Sequence, residues 1–176
     1  MKLLLSTHND DSELFVAFTI LREKPHVIVV TDSWVQFNRG DDVTSDQRWA
    51  ETIAASDILG YPALRLGLRD DTVTEEQIEE ALRKYTDVPW DTVYAPALQN
   101  GNIHHDMVSR VADKLFGDKV VQYTTYTKTV LWTVGNKEVV PTQEEKELKV
   151  KAMMCHQSQM KINMPHFKII CNYTIW

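Results

Sequence analysis

Residues 3–30 read LLLSTHNDDSELFVAFTILREKPHVIVV, and this stretch decides the fold. It opens with a short apolar run, Leu3 to Leu5, which predicts a buried strand. The nearly all-apolar segment from Ser12 to Arg22 predicts a buried helix, which Pro25 ends. The run from Val27 to Val30 is β-branched and continuous, as expected of a parallel strand covered on both faces. The stretch therefore predicts a strand–helix–strand unit with a polar connection after its first strand.

The alternation of strands and helices continues to about residue 120. Apolar runs at residues 63–68 and 92–95 predict a third and a fourth strand, and a helix closed by Gly117 follows the fourth. Two pairs with capping-box spacing open the helices that precede the third and the fourth strand. These pairs are Thr44 with Gln47 and Thr74 with Gln77. Repeated units of this kind predict an α/β fold, with a Rossmann-like, mostly parallel sheet flanked by helices.

The pattern changes after residue 120. Residues 120–133 are rich in Thr, Tyr and Val and predict a small β-rich C-terminal addition. Pro141 and Thr142 open a last helix, and the stretch from Phe167 to Trp176 is a strand candidate. We expect residues 1–176 to form a single domain, since the length suits one hydrophobic core.

Composition excludes several classes of function. The net charge of −6 argues against a protein that binds nucleic acid nonspecifically. No stretch is long and apolar enough to predict a membrane span, and no Gly-x-Gly-x-x-Gly pattern indicates a dinucleotide. The N-terminus turns polar too early for a signal peptide, and Cys155 and Cys171 stand far apart. We therefore expect a cytoplasmic protein.

Two polar segments supply the candidate chemistry. Ligands of parallel α/β proteins bind at the carboxyl ends of the strands, where both segments are predicted to lie. After the first strand come His8 and Asp11, and after the fourth come His104 and His105. Zinc accepts histidine nitrogen and aspartate oxygen, so His8, Asp11 and one of the two later histidines would make a metal site. Asp10, beside it, would accept a proton from an activated water.

Structural explanations exist for both segments. Acidic residues at positions 10 and 11 also suit simple N-capping of the following helix. His104 and His105 would equally suit a solvated helix start. The combination of both segments at one edge of one sheet favours a site.

The two segments, one after the first strand and one after the fourth, resemble the two signatures of the PIG-L/LmbE-like family of zinc-dependent N-acetylglucosaminyl deacetylases. That family has a strand followed by Ala-His-Pro-Asp-Asp-Glu, which Thr7-His8-Asn9-Asp10-Asp11-Ser12 resembles. Its later His-Xaa-Asp-His signature is similar to Asn102-Ile103-His104-His105. Further matches extend the resemblance to about residue 159: Arg48, Glu51, Ala55, Leu59 and Gly60 in one helix, and Ala152, His156, Ser158 and Gln159 in the last.

The resemblance implies that His8, Asp11 and His105 bind Zn²⁺ and that Asp10 is the general base. An alternative register would place Met107 at the third ligand position, and methionine is a poor zinc ligand, so His105 is preferred.

The chain departs from the family at several positions. Asn102 replaces the first histidine of the later signature, and His104 replaces its aspartate. We expect His104 or Asn102 to stabilise the oxyanion, although Asn102 cannot act as an acid. Ser12 replaces the glutamate of the first signature, while Glu13 comes one position late and is expected to point elsewhere.

Two further residues are candidate substrate contacts. Arg48 matches a family arginine near the site and would grip hydroxyl or phosphate groups. The alternative interpretation is that Arg48 lies on the helix surface and pairs with Asp46 or Glu51. Trp34, in the loop after the second strand, would pack on a sugar ring or form an oligomer contact.

Together these observations predict a zinc-dependent hydrolase that removes an N-acetyl group from an amino sugar resembling N-acetylglucosamine. A non-catalytic metal- or sugar-binding protein is one alternative, and an amidohydrolase for a different N-acyl substrate is another. The resemblance also implies a homo-oligomer.

Overall fold

The structure, a computed structural model, describes residues 1–32, 43–125 and 138–162 of the chain. The strands in these ranges are β1 (Lys2–Ser6), β2 (His26–Thr31), β3 (Ala63–Leu68), β4 (Thr92–Pro96) and β5 (Val120–Tyr123). The helices are α1 (Asp11–Phe15), α2 (Ala17–Glu23), α3 (Ser45–Leu59), α4 (Glu75–Arg83), α5 (Ile103–Phe116), α6 (Gln143–Met153) and α7 (Gln157–Ile162).

The five strands form one parallel sheet in the order β3-β2-β1-β4-β5. The α/β fold predicted from the sequence is therefore confirmed. The strand order reverses between β1 and β4, and a crevice opens at the carboxyl ends of strands at such a point. The two polar segments of the sequence follow these two adjacent strands.

Alternate residues of β1 face two separate layers of helices. Leu3 and Leu5 pack in one buried cluster with residues of α4 and α5. Leu4 points to the opposite face and packs in a second cluster with residues of α2, α3 and α6. Side chains alternate along a strand, so a continuous apolar run is required where both faces are covered.

The segment predicted as one helix over Ser12–Arg22 forms two helices. Val16 lies between α1 and α2 with a non-helical φ of −125° and ψ of 7°. β-branched residues are weaker helix formers. The contacts of Asp11 and Glu13 described below fix the direction of α1 separately from that of α2. The apolar pattern of the sequence contains no sign of this break.

The strand in the C-terminal part pairs differently from the prediction. Residues 120–123 do form a strand, but β5 pairs in parallel with β4 and extends the main sheet instead of starting an addition. Thr142 caps α6 as predicted, through a reciprocal pair of hydrogen bonds with Glu145. Residues 126–133 of the predicted β-rich segment and the strand candidate at 167–176 lie outside the described residues.

None of the helices in the described ranges combines the length and apolar character needed to cross a bilayer.

Candidate metal centre

A hydrogen bond from the backbone to Asp11 closes the loop after β1. Asp11, the first residue of α1, accepts a hydrogen bond on Oδ2 from the backbone N–H of His8 at 2.8 Å. The hydroxyl of Ser6 donates to the His8 carbonyl oxygen at 2.8 Å. These two bonds hold the His8 ring and the Asp11 carboxylate on the same side of the loop.

The start of α5 is fixed by two capping side chains. Asn102 is the N-cap residue, and its side-chain oxygen accepts from the backbone N–H of His104 at 2.9 Å. Asp106 Oδ1 accepts from the backbone N–H groups of Gln99 and Asn100, at 3.0 and 3.1 Å. The loop that precedes α5 is thereby closed onto the first turn of the helix, and His104 and His105 are held at the carboxyl end of β4.

The three predicted metal ligands meet at the crevice. His8 Nδ1 lies 3.2 Å from Asp11 Oδ2 and 3.2 Å from His105 Nε2. His105 Nε2 lies 3.0 Å from Asp11 Oδ2. The three donor atoms therefore form a nearly equilateral triangle.

This triangle fits a tetrahedral metal ion. Zinc bonds of about 2.0–2.1 Å to nitrogen and oxygen place neighbouring ligand atoms about 3.3 Å apart. The observed sides of 3.0 to 3.2 Å are close to that spacing. Asp11 and His105 are buried and His8 is half-buried, so the donors face a sheltered position at the end of the sheet. Three protein ligands leave a fourth position open, as in catalytic zinc sites.

The Asp11 carboxylate of the triangle stays ionised although it is buried. Burial opposes the charged form of Asp11, but the rings of His105 and His8 outweigh it and hold the pKa of Asp11 below its ordinary value. Burial likewise opposes protonation of His8, yet the Asp11 carboxylate outweighs it, and the pKa of His8 is raised. A carboxylate that stays ionised when buried between two imidazoles is a suitable metal ligand.

A chain of hydrogen bonds sets the orientation of His105. The hydroxyl of Thr125 donates to Gln99 Oε1 at 3.0 Å, so its oxygen accepts from His105 Nδ1 at 3.1 Å. This arrangement puts the ring hydrogen on Nδ1 and directs the Nε2 lone pair at His8 and Asp11. Thr125 was not a candidate residue, because nothing in the sequence links it to α5.

Thr125→Val is expected to weaken zinc binding by about 10–100-fold, because valine keeps the shape but removes the acceptor that orients His105. The zinc dissociation constant, measured by competition with a chelating dye, tests this. Thr124→Val is the matched control. An unchanged dissociation constant in Thr125→Val would mean that the ring is oriented without this hydrogen bond.

Asp10 and Arg48 form an ion pair beside the triangle. Arg48 Nη2 donates to Asp10 Oδ1 at 3.2 Å, and its Nη1 lies 3.5 Å from Ser158 Oγ. Ser158 in turn donates to Glu51 through its backbone N–H and its hydroxyl, at 2.8 and 2.6 Å. Arg48 is only 1% exposed, so the alternative of a helix-surface arginine is wrong.

The remaining predicted site residues are His104, Asn102 and Trp34. His104 Nδ1 lies 3.3 Å from His8 Nε2, so this ring borders the centre. Burial, reinforced by His8, lowers the pKa of His104 and favours its neutral form. Asn102 is engaged as the helix cap through its side-chain oxygen. Trp34 lies outside the described residues, and its contact with a sugar stays a prediction.

Asp70 is a functional candidate that sequence reasoning missed. It follows β3, is buried, and contributes a carboxylate to a group with His8 and His104. The same rule that selected the other segments could have found it, since Asp70 also follows the end of a parallel strand.

A buried polar cluster lies behind the centre and anchors α1. Glu13 Oε2 accepts from Ser12 Oγ and lies 3.1 Å from His156 Nε2, while the Tyr61 hydroxyl donates to Glu13 Oε1. Burial and the neighbouring carboxylate of Glu13 hold the pKa of Tyr61 well above its ordinary value, so the phenol remains a donor. Glu13 therefore binds a partner in the C-terminal part of the chain, which agrees with the expectation that it points elsewhere.

Several solved structures share this fold. A triple mutant of the deacetylase from the teicoplanin biosynthetic pathway superposes with a TM-score of 0.79 at 19% identity, over 96% of this chain and 87% of that one. N,N'-diacetylchitobiose deacetylase from Pyrococcus horikoshii gives 0.70 at 18% identity, over 96% and 76%. The 4-carboxy-2-hydroxymuconate hydratase from Pseudomonas putida KT2440 gives 0.71 at 16% identity, over 96% and 84%.

At these identities the similarity shows a common fold, which serves deacetylases and a hydratase alike. Neither the protein-family models nor the curated protein sequences include a match to this chain.

Proposed function

We propose that this protein is a zinc-dependent hydrolase that removes an N-acetyl group from an amino sugar of the N-acetylglucosamine class. The observation that carries the proposal is the triangle of His8 Nδ1, Asp11 Oδ2 and His105 Nε2, with the Asp10 carboxylate beside it. The deacetylases that share the fold support this class of reaction.

The donor set suits zinc, because two imidazole nitrogens and one carboxylate oxygen are ligands that zinc prefers. When bound, zinc would activate a water molecule and polarise the carbonyl oxygen of the amide.

Asp10 accepts the proton of the attacking water and returns it to the leaving amine. It immediately precedes the ligand Asp11, and its charge acts on the His8 ring, so its carboxylate lies within electrostatic range of the centre. Arg48 acts through Asp10 as a positioning residue, since its guanidinium is buried and already bonded to Asp10 and Ser158. The predicted contact of Arg48 with a hydroxyl or phosphate group of the substrate stays a prediction.

His104 stabilises the oxyanion that forms when water attacks the amide. It borders the centre through its contact with His8, and its lowered pKa keeps the ring neutral and able to donate one hydrogen bond. Asn102 is the weaker candidate for this role, because its side-chain oxygen caps α5.

A panel of amides tests the proposed function. The zinc-loaded protein is incubated with N-acetylglucosamine, N,N'-diacetylchitobiose, glucosamine carrying longer acyl chains and N-acetylated amino acids, and free acid and primary amine are both quantified. We expect acetate and amine in equal amounts from the acetylated sugars.

Other results would assign a different activity. Turnover of only the longer acyl chains or of the amino acids would make the protein an amidohydrolase for another substrate. Retained zinc with no product from any amide would overturn the enzyme assignment and leave a metal- or sugar-binding protein.

A further inference from the structure

The His8 ring lies between two sets of donor atoms. Its Nδ1 faces Asp11 and His105, whereas its Nε2 lies 3.3 Å from His104 Nδ1. The carboxylate of Asp70 completes the outer set, and ligand atoms from His8, Asp70 and His104 all lie within 4.8 Å of one another. The outer set thus repeats the two imidazoles and one carboxylate of the inner triangle.

We propose that His8, Asp70 and His104 form a second binding site for a divalent transition-metal ion, with the His8 ring bridging the two sites. Two nitrogens and one carboxylate oxygen select ions such as Zn²⁺ and Co²⁺ over Mg²⁺ or Ca²⁺, which take oxygen ligands. The second ion binds more weakly than the first, because the two positive ions share one imidazole ring and repel each other.

The outer donors are held in place before any ion arrives. Each comes from a different part of the fold: His8 after β1, Asp70 after β3 and His104 in the first turn of α5. Hydrogen bonds of Thr72 and Val73 to the Arg69 carbonyl oxygen, at 3.2 and 2.8 Å, close the turn that carries Asp70. Donors fixed on separate rigid segments lose little freedom when a metal binds.

Occupation of the outer site has a consequence for catalysis that rests on the proposed function. An ion on His104 would occupy the ring that we assign to the oxyanion, so metal in excess would inhibit deacetylation. A count of bound metal ions does not depend on any activity.

The test counts metal ions on the whole chain. Metal-free protein is titrated with Co²⁺ and followed by its visible absorption, and bound Zn²⁺ is counted by elemental analysis after equilibrium dialysis. We expect about two ions on the parent protein and on the control variant Asp71→Asn. Asp71 follows Asp70 in the sequence, and its side chain pairs with Arg69 at the surface. We expect about one ion on Asp70→Asn and on His104→Gln, and about one on Asp11→Asn.

His8→Gln gives the sharpest expectation, the loss of both ions, because only a bridging residue serves two sites. A parent protein that saturates at about one ion, lost in Asp11→Asn, would overturn the second site and leave the inner centre intact. A second ion that persists in both Asp70→Asn and His104→Gln would also overturn it. Should Asp70→Asn fail to fold by circular dichroism, the half-buried His104→Gln decides the question.

Discussion

Asp10→Asn is expected to lower kcat for deacetylation by about 10²–10⁴-fold while the zinc content stays unchanged. Asparagine keeps the size of the side chain and its hydrogen-bond acceptor for Arg48, but it cannot accept a proton from water. Because Asp10 does not belong to the metal triangle, the substitution removes the base and leaves the three ligands in place.

The matched control for Asp10→Asn is Asp46→Asn. Asp46 is also ion-paired with an arginine, Arg65, but its side chain is 92% exposed and lies on the surface of α3. Its activity should equal that of the parent, with steady-state kinetics and zinc content measured on the same preparations. Full activity in Asp10→Asn would remove Asp10 from the reaction and move the role of base to another group.

Glu13→Ala is expected to lower the free energy of unfolding by about 3–5 kcal/mol, a large part of the total for a domain of this size. The Glu13 side chain is fully buried and receives contacts from Ser12, Tyr61 and His156. Its removal leaves three buried polar groups without their carboxylate and removes one of the contacts that join α1 to the C-terminal part of the chain.

Urea denaturation followed by circular dichroism measures this effect. Glu80→Ala, at an 82% exposed position of α4, should change the unfolding free energy by less than about 0.5 kcal/mol. The double variant Glu13→Leu/His156→Leu should lose less unfolding free energy than the single variants Glu13→Leu and His156→Leu lose in sum. The reason is that the two buried polar partners are removed together. A loss below about 1 kcal/mol in Glu13→Ala would show that the cluster does not hold α1 in place.

The parts of the site that could be predicted follow from local sequence. The apolar run at Leu3–Leu5 and the β-branched run at Val27–Val30 predicted the first two strands. Polar residues that follow a parallel strand indicate the edge of the sheet where ligands bind. His8 and Asp11 are three residues apart, so one loop brings them together. His105 joins them because β4 pairs directly with β1.

The parts that could not be predicted depend on contacts between distant residues. His105 is oriented by Thr125, 20 residues away, and Glu13 is paired with His156, 143 residues away. The break at Val16 has the same origin, since tertiary contacts of Asp11 and Glu13 override a continuous apolar pattern. Arg48 is buried although its helix position suited a surface residue, because Asp10 and Ser158 both bond to it from other elements.

The central claim is tested most directly by measuring zinc and acetate in the same preparations of the parent protein, Asp11→Ala and His105→Ala. Zinc is counted by elemental analysis after dialysis that removes weakly held metal, and acetate release is followed with N-acetylglucosamine compounds. The account predicts about one retained zinc per chain and acetate release in the parent, with both lost in the two variants. Retention of zinc in both variants, or acetate release that survives the loss of zinc, would contradict it.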